Sequence, residues 1–383
     1  MPATPRSIDE APPEGAGLPG LEAHPHAAAV LGPALPPHGR PSHAYLFHGP
    51  AGTGKRTIAR AFAAELLADG AAEPQGVRER VARGAHPDLT WVSPSGAAEM
   101  LVSDVDEPVV AAAARTPFES RRRVFVIEGV DAMNDQAANR MLKTLEEPPA
   151  FAHLLLLTDR REDVMPTIAS RCQQVRFDPL PSERIAARLE GVGGERARAC
   201  ARLAAGNARL AELLAGERGG ELRASAEDFV RSALAGTTAG RPWMALLEEA
   251  RASGTAAAER EQERMAGELE LLPSRERKRY ERERVEASRR GERRVRTQTL
   301  DLALRLAELW LRDVLCVCEG APELVFAVDR APELEHDSDG RDAARLREGI
   351  ELIGDCRLSL SLNVSEELAL EALAYRLEAL LAR

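Results

Sequence analysis

The stretch His43-Ala44-Tyr45-Leu46-Phe47-His48-Gly49-Pro50-Ala51-Gly52-Thr53-Gly54-Lys55-Arg56-Thr57 decides how the rest of the chain is read. Tyr45, Leu46 and Phe47 form a short apolar run of the kind found in a buried strand, and Thr57 to Leu67 has helical spacing. Between them lies a Gly-rich turn whose backbone N–H groups can approach an anion at a helix N-terminus. Strand, loop and helix in this order predict a phosphate cradle, with a chance Gly-rich turn as the alternative. The full pattern is Gly, four residues, Gly-Lys, then Ser or Thr for the magnesium. Gly49, Gly54 and Lys55 fit it, with Gly52 inside the loop. Arg56 stands where the hydroxyl belongs, and Thr57 comes one residue late, on a different side of the helix.

Outward from the loop, strands and helices alternate. Ala44–Phe47, Leu89–Val92, Val124–Ile127, Leu154–Leu157 and Val175–Phe177 read as strands, the third and fourth as apolar runs buried on both faces. A short helix is expected over 21–31 and another over 103–116, with a polar, Gly-containing connection over 68–85. Asn134 caps a helix whose apolar face uses Ala137, Met141, Leu142 and Leu145, and Pro148-Pro149 stops it. The alternation predicts an α/β fold with a parallel, doubly wound sheet and ligands at the C-terminal ends of its strands.

The expected organisation is a disordered tail over 1–18, a nucleotide-binding-like domain over 19–179, a small helical lid over 180–219 and an all-α domain over 220–383. A charged insertion at about 255–296 and a polar loop over 332–340 interrupt the last. The run from Arg275 to Arg296 is rich in charge and poor in apolar residues. It reads as a solvated helix or loop in a helical hairpin, or else as a local contact to DNA phosphates.

The 383 residues are 44% hydrophobic and only 4% aromatic, so the cores must be built mostly from Ala, Leu and Val. A net charge of −10 and a pI near 5.5 argue against a protein that coats nucleic acid over its whole surface. Five scattered cysteines suggest neither a disulfide framework nor a zinc site. No apolar run is long enough to span a bilayer, so no membrane partner and a cytoplasmic location are expected.

A P-loop hydrolase also needs an acidic cluster at the end of a neighbouring strand. Here that place reads Val126-Ile127-Glu128-Gly129-Val130-Asp131. Glu128 takes the metal position with a longer side chain, Gly129 has nothing to act on water, and Asp131 reads as a helix-entry charge. With Arg56 and Gly129 both affecting one reaction, the residues predict a weak or inactive ATPase, able at most to hold ATP or ADP weakly.

The run Asp131 to Pro149, containing Met141-Leu142-Lys143-Thr144-Leu145-Glu146-Glu147-Pro148-Pro149, and the later Ser170-Arg171-Cys172 closely resemble bacterial clamp-loader subunits. His86-Pro87-Asp88 and Gly206-Asn207-Ala208-Arg209 also fit. The resemblance covers roughly 21–214. It implies a AAA+ module with a lid and a helical collar, inside the holoenzyme of a DNA-directed DNA polymerase, a nucleotidyltransferase. Motor (gamma/tau) subunits keep Thr after the loop Lys and an Asp-Glu pair; Arg56 and Glu128-Gly129 point to the non-motor delta-prime type. The implied partners are gamma/tau and delta subunits in a five-membered ring, the sliding clamp and primed DNA. The family's four-cysteine zinc module is missing from 68–85.

Within this resemblance Arg171 is implied to be an arginine finger acting in trans on a neighbour's ATP, against a purely structural ion pair as the alternative. Thr158 falls at a sensor position or is an ordinary strand-end hydroxyl; Arg209 fits a second sensor or is a helix-surface arginine. Cys172 and Ser170 are expected to pack and cap. The alternative functions are a hydrolytically competent motor ATPase of the same family and a AAA+ scaffold outside replication.

Overall fold

The computed structural model describes residues 18–94, 99–271, 274–362 and 364–382; within helices, the side chains of 264, 266–287, 290 and 361 are outside the description. The tail expected over 1–18 therefore falls outside it, except for Leu18, which is buried in the core. Two compact units, Met1–Leu180 and Pro181–Arg383, divide the chain.

The first unit is built on five parallel strands: β1 (Ala44–His48), β2 (Leu89–Val92), β3 (Arg123–Glu128), β4 (Ala152–Thr158) and β5 (Gln173–Arg176). Their order across the sheet is β2-β3-β4-β1-β5. The unbroken apolar runs of β1, β3 and β4 follow from burial of both faces. Tyr45, Phe47, Val124, Val126, Leu155 and Leu157 point into one core. Leu46, Phe125, Ile127, Leu154 and Leu156 point into the other. The first core is closed by α1 (Pro25–Leu31), α2 (Lys55–Ala68) and α3 (Pro74–Ala82). Helical turns over α4 (Val102–Val105) and Asp106–Ala111, with α5 (Asp135–Glu146) and α6 (Pro166–Ala169), close the second.

Two local predictions hold in detail and two need correcting. The Asn134 side chain accepts from the Ala137 N–H at 2.9 Å, capping α5, and Met141 and Leu145 are buried beneath it. The polar connection over 68–85 contains α3, which begins at Pro74 and buries Val77 and Val81, four residues apart, while Arg78 pairs with Glu65 of α2 at 2.7 Å. Two apolar residues on a nine-residue helix are too few to show a period. The helix expected over 103–116 widens to π-type turns over Asp106–Ala111, a segment that contains Pro108, which has no N–H to offer a regular ladder.

The second unit is helical: α7 (Ser182–Ala186), α8 (Gly194–Leu203), α9 (Ala208–Ala215), α10 (Glu217–Ala235), α11 (Trp243–Leu271), α12 (Ser274–Cys318), α13 (Ala331–Ser338), α14 (Ala343–Ser361) and α15 (Glu366–Leu381). The charged segment over 255–296 lies in a helical hairpin, in which α11 and α12 pack along each other, in line with the helical reading of the charged run. Gly254 sits where an added Cβ would meet Arg296 and Glu292. Apolar periodicity is lacking there, and the two long helices rest on the good intrinsic propensity of Glu, Arg and Ala. The expected polar loop over 332–340 is mostly α13, anchored by buried Leu334 and by Asp337, which accepts from the Trp310 indole at 3.0 Å.

Candidate functional site

The parallel register brings the ends of β3, β4 and β1 together. His48 pairs with Thr158, and Glu128 with Leu157, so the loop after β1 lies beside Thr158-Asp159, with Glu128 one strand further on. The loop glycines explain its shape. Gly49, Gly52 and Gly54 have φ of 138°, 73° and 93°, values that L side chains rarely adopt. At Gly49 a Cβ would also lie 2.0 Å from the Phe177 carbonyl oxygen. Gly54 precedes α2 without a side-chain cap, which leaves the first-turn amides to face an anion.

Lys55 is 5% exposed; its ammonium donates to the carbonyls of Gly49 (2.6 Å) and Pro50 (2.7 Å) and pairs with Asp159 at 2.7 Å. Burial lowers its pKa, with Asp159 opposing the shift. Arg56 reaches the strand end: its Nε lies 2.7 Å from Glu128 Oε1. The same carboxylate accepts from the Trp91 indole at 2.5 Å and the Ser93 hydroxyl at 3.4 Å. Thr57 is exposed, as its late position requires.

Asp131 lies in the first turn of the short helix Val130–Ala132, as a helix-entry charge should. Its carboxylate also accepts from the Thr158 hydroxyl at 2.8 Å and pairs with Arg160 at 3.1 Å. Thr158 in turn accepts from the Arg160 N–H at 3.0 Å. Each of the three carboxylates at this edge thus has a cation of the chain itself, Glu128 with Arg56, Asp131 with Arg160 and Asp159 with Lys55. A magnesium site needs a hydroxyl after the Lys and a carboxylate open to the ion. These residues supply neither. The loop fits phosphates, while the metal half does not fit magnesium.

Sequence reading missed Asp159, Trp91 and His24. The His24 ring is 2% exposed, lies 4.9 Å from the Phe177 ring, and has an unpartnered Nδ1. Burial lowers its pKa, against the Thr53 backbone, which raises it. Lone histidines carry no sequence signal for such placement.

Arg171 lies at the other end of the sheet. It comes two residues before β5, whose first residue, Gln173, pairs with Tyr45 near the start of β1. The length of β5, on the order of 10 Å, separates that edge from the cradle. Arg171 Nη1 donates to the Thr167 carbonyl at 2.8 Å, and Nη2 pairs with Glu146 at the end of α5. Cys172 is buried in the second core, and burial pushes its thiol up to about 12, the behaviour of a packing group. Ser170 donates to the Thr167 carbonyl at 3.2 Å.

His86-Pro87-Asp88 is structural. Asp88, 1% exposed, accepts from the backbone N–H groups of Phe118, Glu119 and Ser120 at 2.5–2.9 Å and so fixes the turn before β3. Burial raises its pKa, but these donors outweigh that and hold the carboxyl below its usual range. In the second unit, Asn207 caps α9 by accepting from Leu210 at 2.9 Å, and Arg209 is exposed on that helix.

Comparison with known proteins fits these features. Residues 28–181 match the family described as DNA polymerase III, delta subunit. The delta' subunit of Pseudomonas aeruginosa is 35% identical over 211 residues, 52% of this chain and 64% of that protein. The delta' subunit of Bacillus subtilis is 35% identical over 193 residues, 48% of this chain and 57% of its own length. Over this part the chain is similar to DNA polymerase III delta-prime clamp-loader subunits. It spans about three fifths of the length of these curated relatives. A gamma/tau subunit of Mycobacterium tuberculosis is 37% identical over 169 residues, but only 29% of that protein is covered. The parallel α/β sheet followed by a long helical region is the architecture that the resemblance implied.

Proposed function

We propose that the chain acts as the non-motor subunit of a bacterial clamp loader, alongside gamma/tau and delta subunits, in loading a sliding clamp on primed DNA. It would be a structural member of the ring with little or no ATP hydrolysis of its own. Its contribution to the chemistry is Arg171, presented to ATP held by a neighbouring motor subunit.

One observation carries this reading: Arg171 and the cradle occupy opposite ends of one parallel sheet. A guanidinium fork neutralises charge on the transferred phosphoryl group only by direct contact. Arg171 is on the wrong edge for this chain's own loop, so the nucleotide it can serve is another chain's. Its tie to Glu146 is to a carboxylate about half exposed, and such pairs are worth only about 0–1 kcal/mol, so it is readily exchanged for a phosphate.

The test is clamp-stimulated ATP turnover by a loader reconstituted with Arg171→Ala. Turnover at the served site should fall by about a hundredfold or more, with the subunit still present in the complex by size-exclusion chromatography. Unchanged turnover in an intact complex removes the finger assignment.

A further inference from the structure

We propose that the cradle of this chain takes a nucleoside di- or triphosphate as the metal-free anion, with the Arg56 guanidinium in the electrostatic place of magnesium. The proposal goes beyond the finger reading and does not depend on it, since Arg171 is on the other edge of the sheet.

The inference starts from the misfit of the metal half. Where a hydroxyl ligand belongs, Arg56 occurs instead, and its side chain goes to the carboxylate at the metal position, 2.7 Å from Glu128. Glu128 is not free to turn toward an incoming ion: Trp91 holds the same oxygen at 2.5 Å, and the Trp91 ring is itself covered by the Arg60 guanidinium, 4.4 Å from its centroid. The group that a magnesium would have to displace is therefore a cation already in contact with its carboxylate.

The anion half is intact. The loop glycines take the positive φ that the turn needs, Gly54 leaves the first amides of α2 without a side-chain cap, and Lys55 is buried beneath the loop on carbonyls it can exchange for phosphate oxygens. A second, independent sign of a ligand is His24, 98% buried by its 2% exposure, with Nδ1 lacking any partner next to the loop. Arg56 is 60% exposed, so its remaining N–H donors stay available to phosphate oxygens while Nε is engaged. Arginine suits this role because its planar fork stays charged and can serve two acceptors at once.

Equilibrium dialysis of the full chain against ATP, and separately ADP, with excess magnesium or with EDTA, tests the proposal. Binding is expected to be about tenfold or more tighter with EDTA than with excess magnesium, because magnesium in excess holds nearly all of the nucleotide as its complex and leaves little of the free anion. Arg56→Thr should reverse this order, binding about tenfold more tightly with magnesium than with EDTA. Arg56→Lys, which keeps the charge, should keep the preference for EDTA. Wild-type binding that is equal in the two buffers or tighter with magnesium, or no binding in either buffer by folded protein, overturns the proposal. So does an Arg56→Thr variant that keeps the preference for EDTA. Folding of each variant is checked by its far-ultraviolet circular dichroism.

Discussion

At the loop end of the sheet Lys55, Arg56 and Arg160 are each matched to a carboxylate of the same chain, and two of those carboxylates, Glu128 and Asp131, are mostly buried. At the opposite end Arg171 is matched to Glu146, which is 49% exposed. The arginines of the loop end are themselves about 60% exposed but hold mostly buried carboxylates, whereas Arg171, 34% exposed, holds a half-exposed one. Arg56 and Arg160 lie where strand ends converge, so their partners are set by the parallel register. Arg171 follows a short helix at the sheet's rim, where its only carboxylate partner among the described residues is the end of α5. A cradle that supplies its own counter-ions has little left for a metal, while a rim arginine on a surface pair remains available to another molecule.

The comparison can be broken first at the loop end. Gly49→Ala puts a Cβ 2.0 Å from the Phe177 carbonyl oxygen at a φ of 138°, so the loop must leave the end of β5. The expected loss is about 3 kcal/mol or more in urea unfolding. Unchanged stability would mean that the loop is not pressed against that strand.

The other end has its own support. His153, in β4 next to the strand start, is 3% exposed, and its Nδ1 donates to the Ser42 carbonyl at 2.9 Å. Burial pushes its pKa down to about 4 from an ordinary 6.5. Between these values the unfolded chain holds the extra proton, so stability is complete above pH 6.5 and declines as pH falls toward 4. The contribution is roughly 3 kcal/mol. Burial also lowers His24, His48 and His86, so His153→Gln should flatten the acid limb of stability against pH without abolishing it. An unaltered limb would show that His153 is not held neutral by the fold.

Much of this was legible in the sequence, for reasons that separate the two ends. The loop is local: its glycines, Lys55 and the displaced Thr57 all lie within nine residues, and the strands flanking it are apolar runs. Asn134 and Asn207 are legible for the same reason, because a cap acts three residues away. The pairs that determine what the cradle can do are not local. Lys55 with Asp159 and Arg56 with Glu128 join residues far apart in sequence, and only the β3-β4-β1 register brings them together. Asp131 is legible as a helix-entry charge, but its partners Thr158 and Arg160 come from the end of β4 and leave no local signal. In the second unit, charge without apolar periodicity concealed the length of α11 and α12. Arg171 was recognised by resemblance alone; nothing in Ser170-Arg171-Cys172 itself says which edge of a sheet it will occupy.

The central claim is that this chain's chemistry lies at Arg171 and not at its own cradle. The most direct measurement compares clamp- and DNA-stimulated ATP turnover of one reconstituted loader carrying either Lys55→Ala or Arg171→Ala in this subunit. The account predicts near-normal turnover with Lys55→Ala and a deep loss with Arg171→Ala. Loss with Lys55→Ala and normal turnover with Arg171→Ala would contradict it.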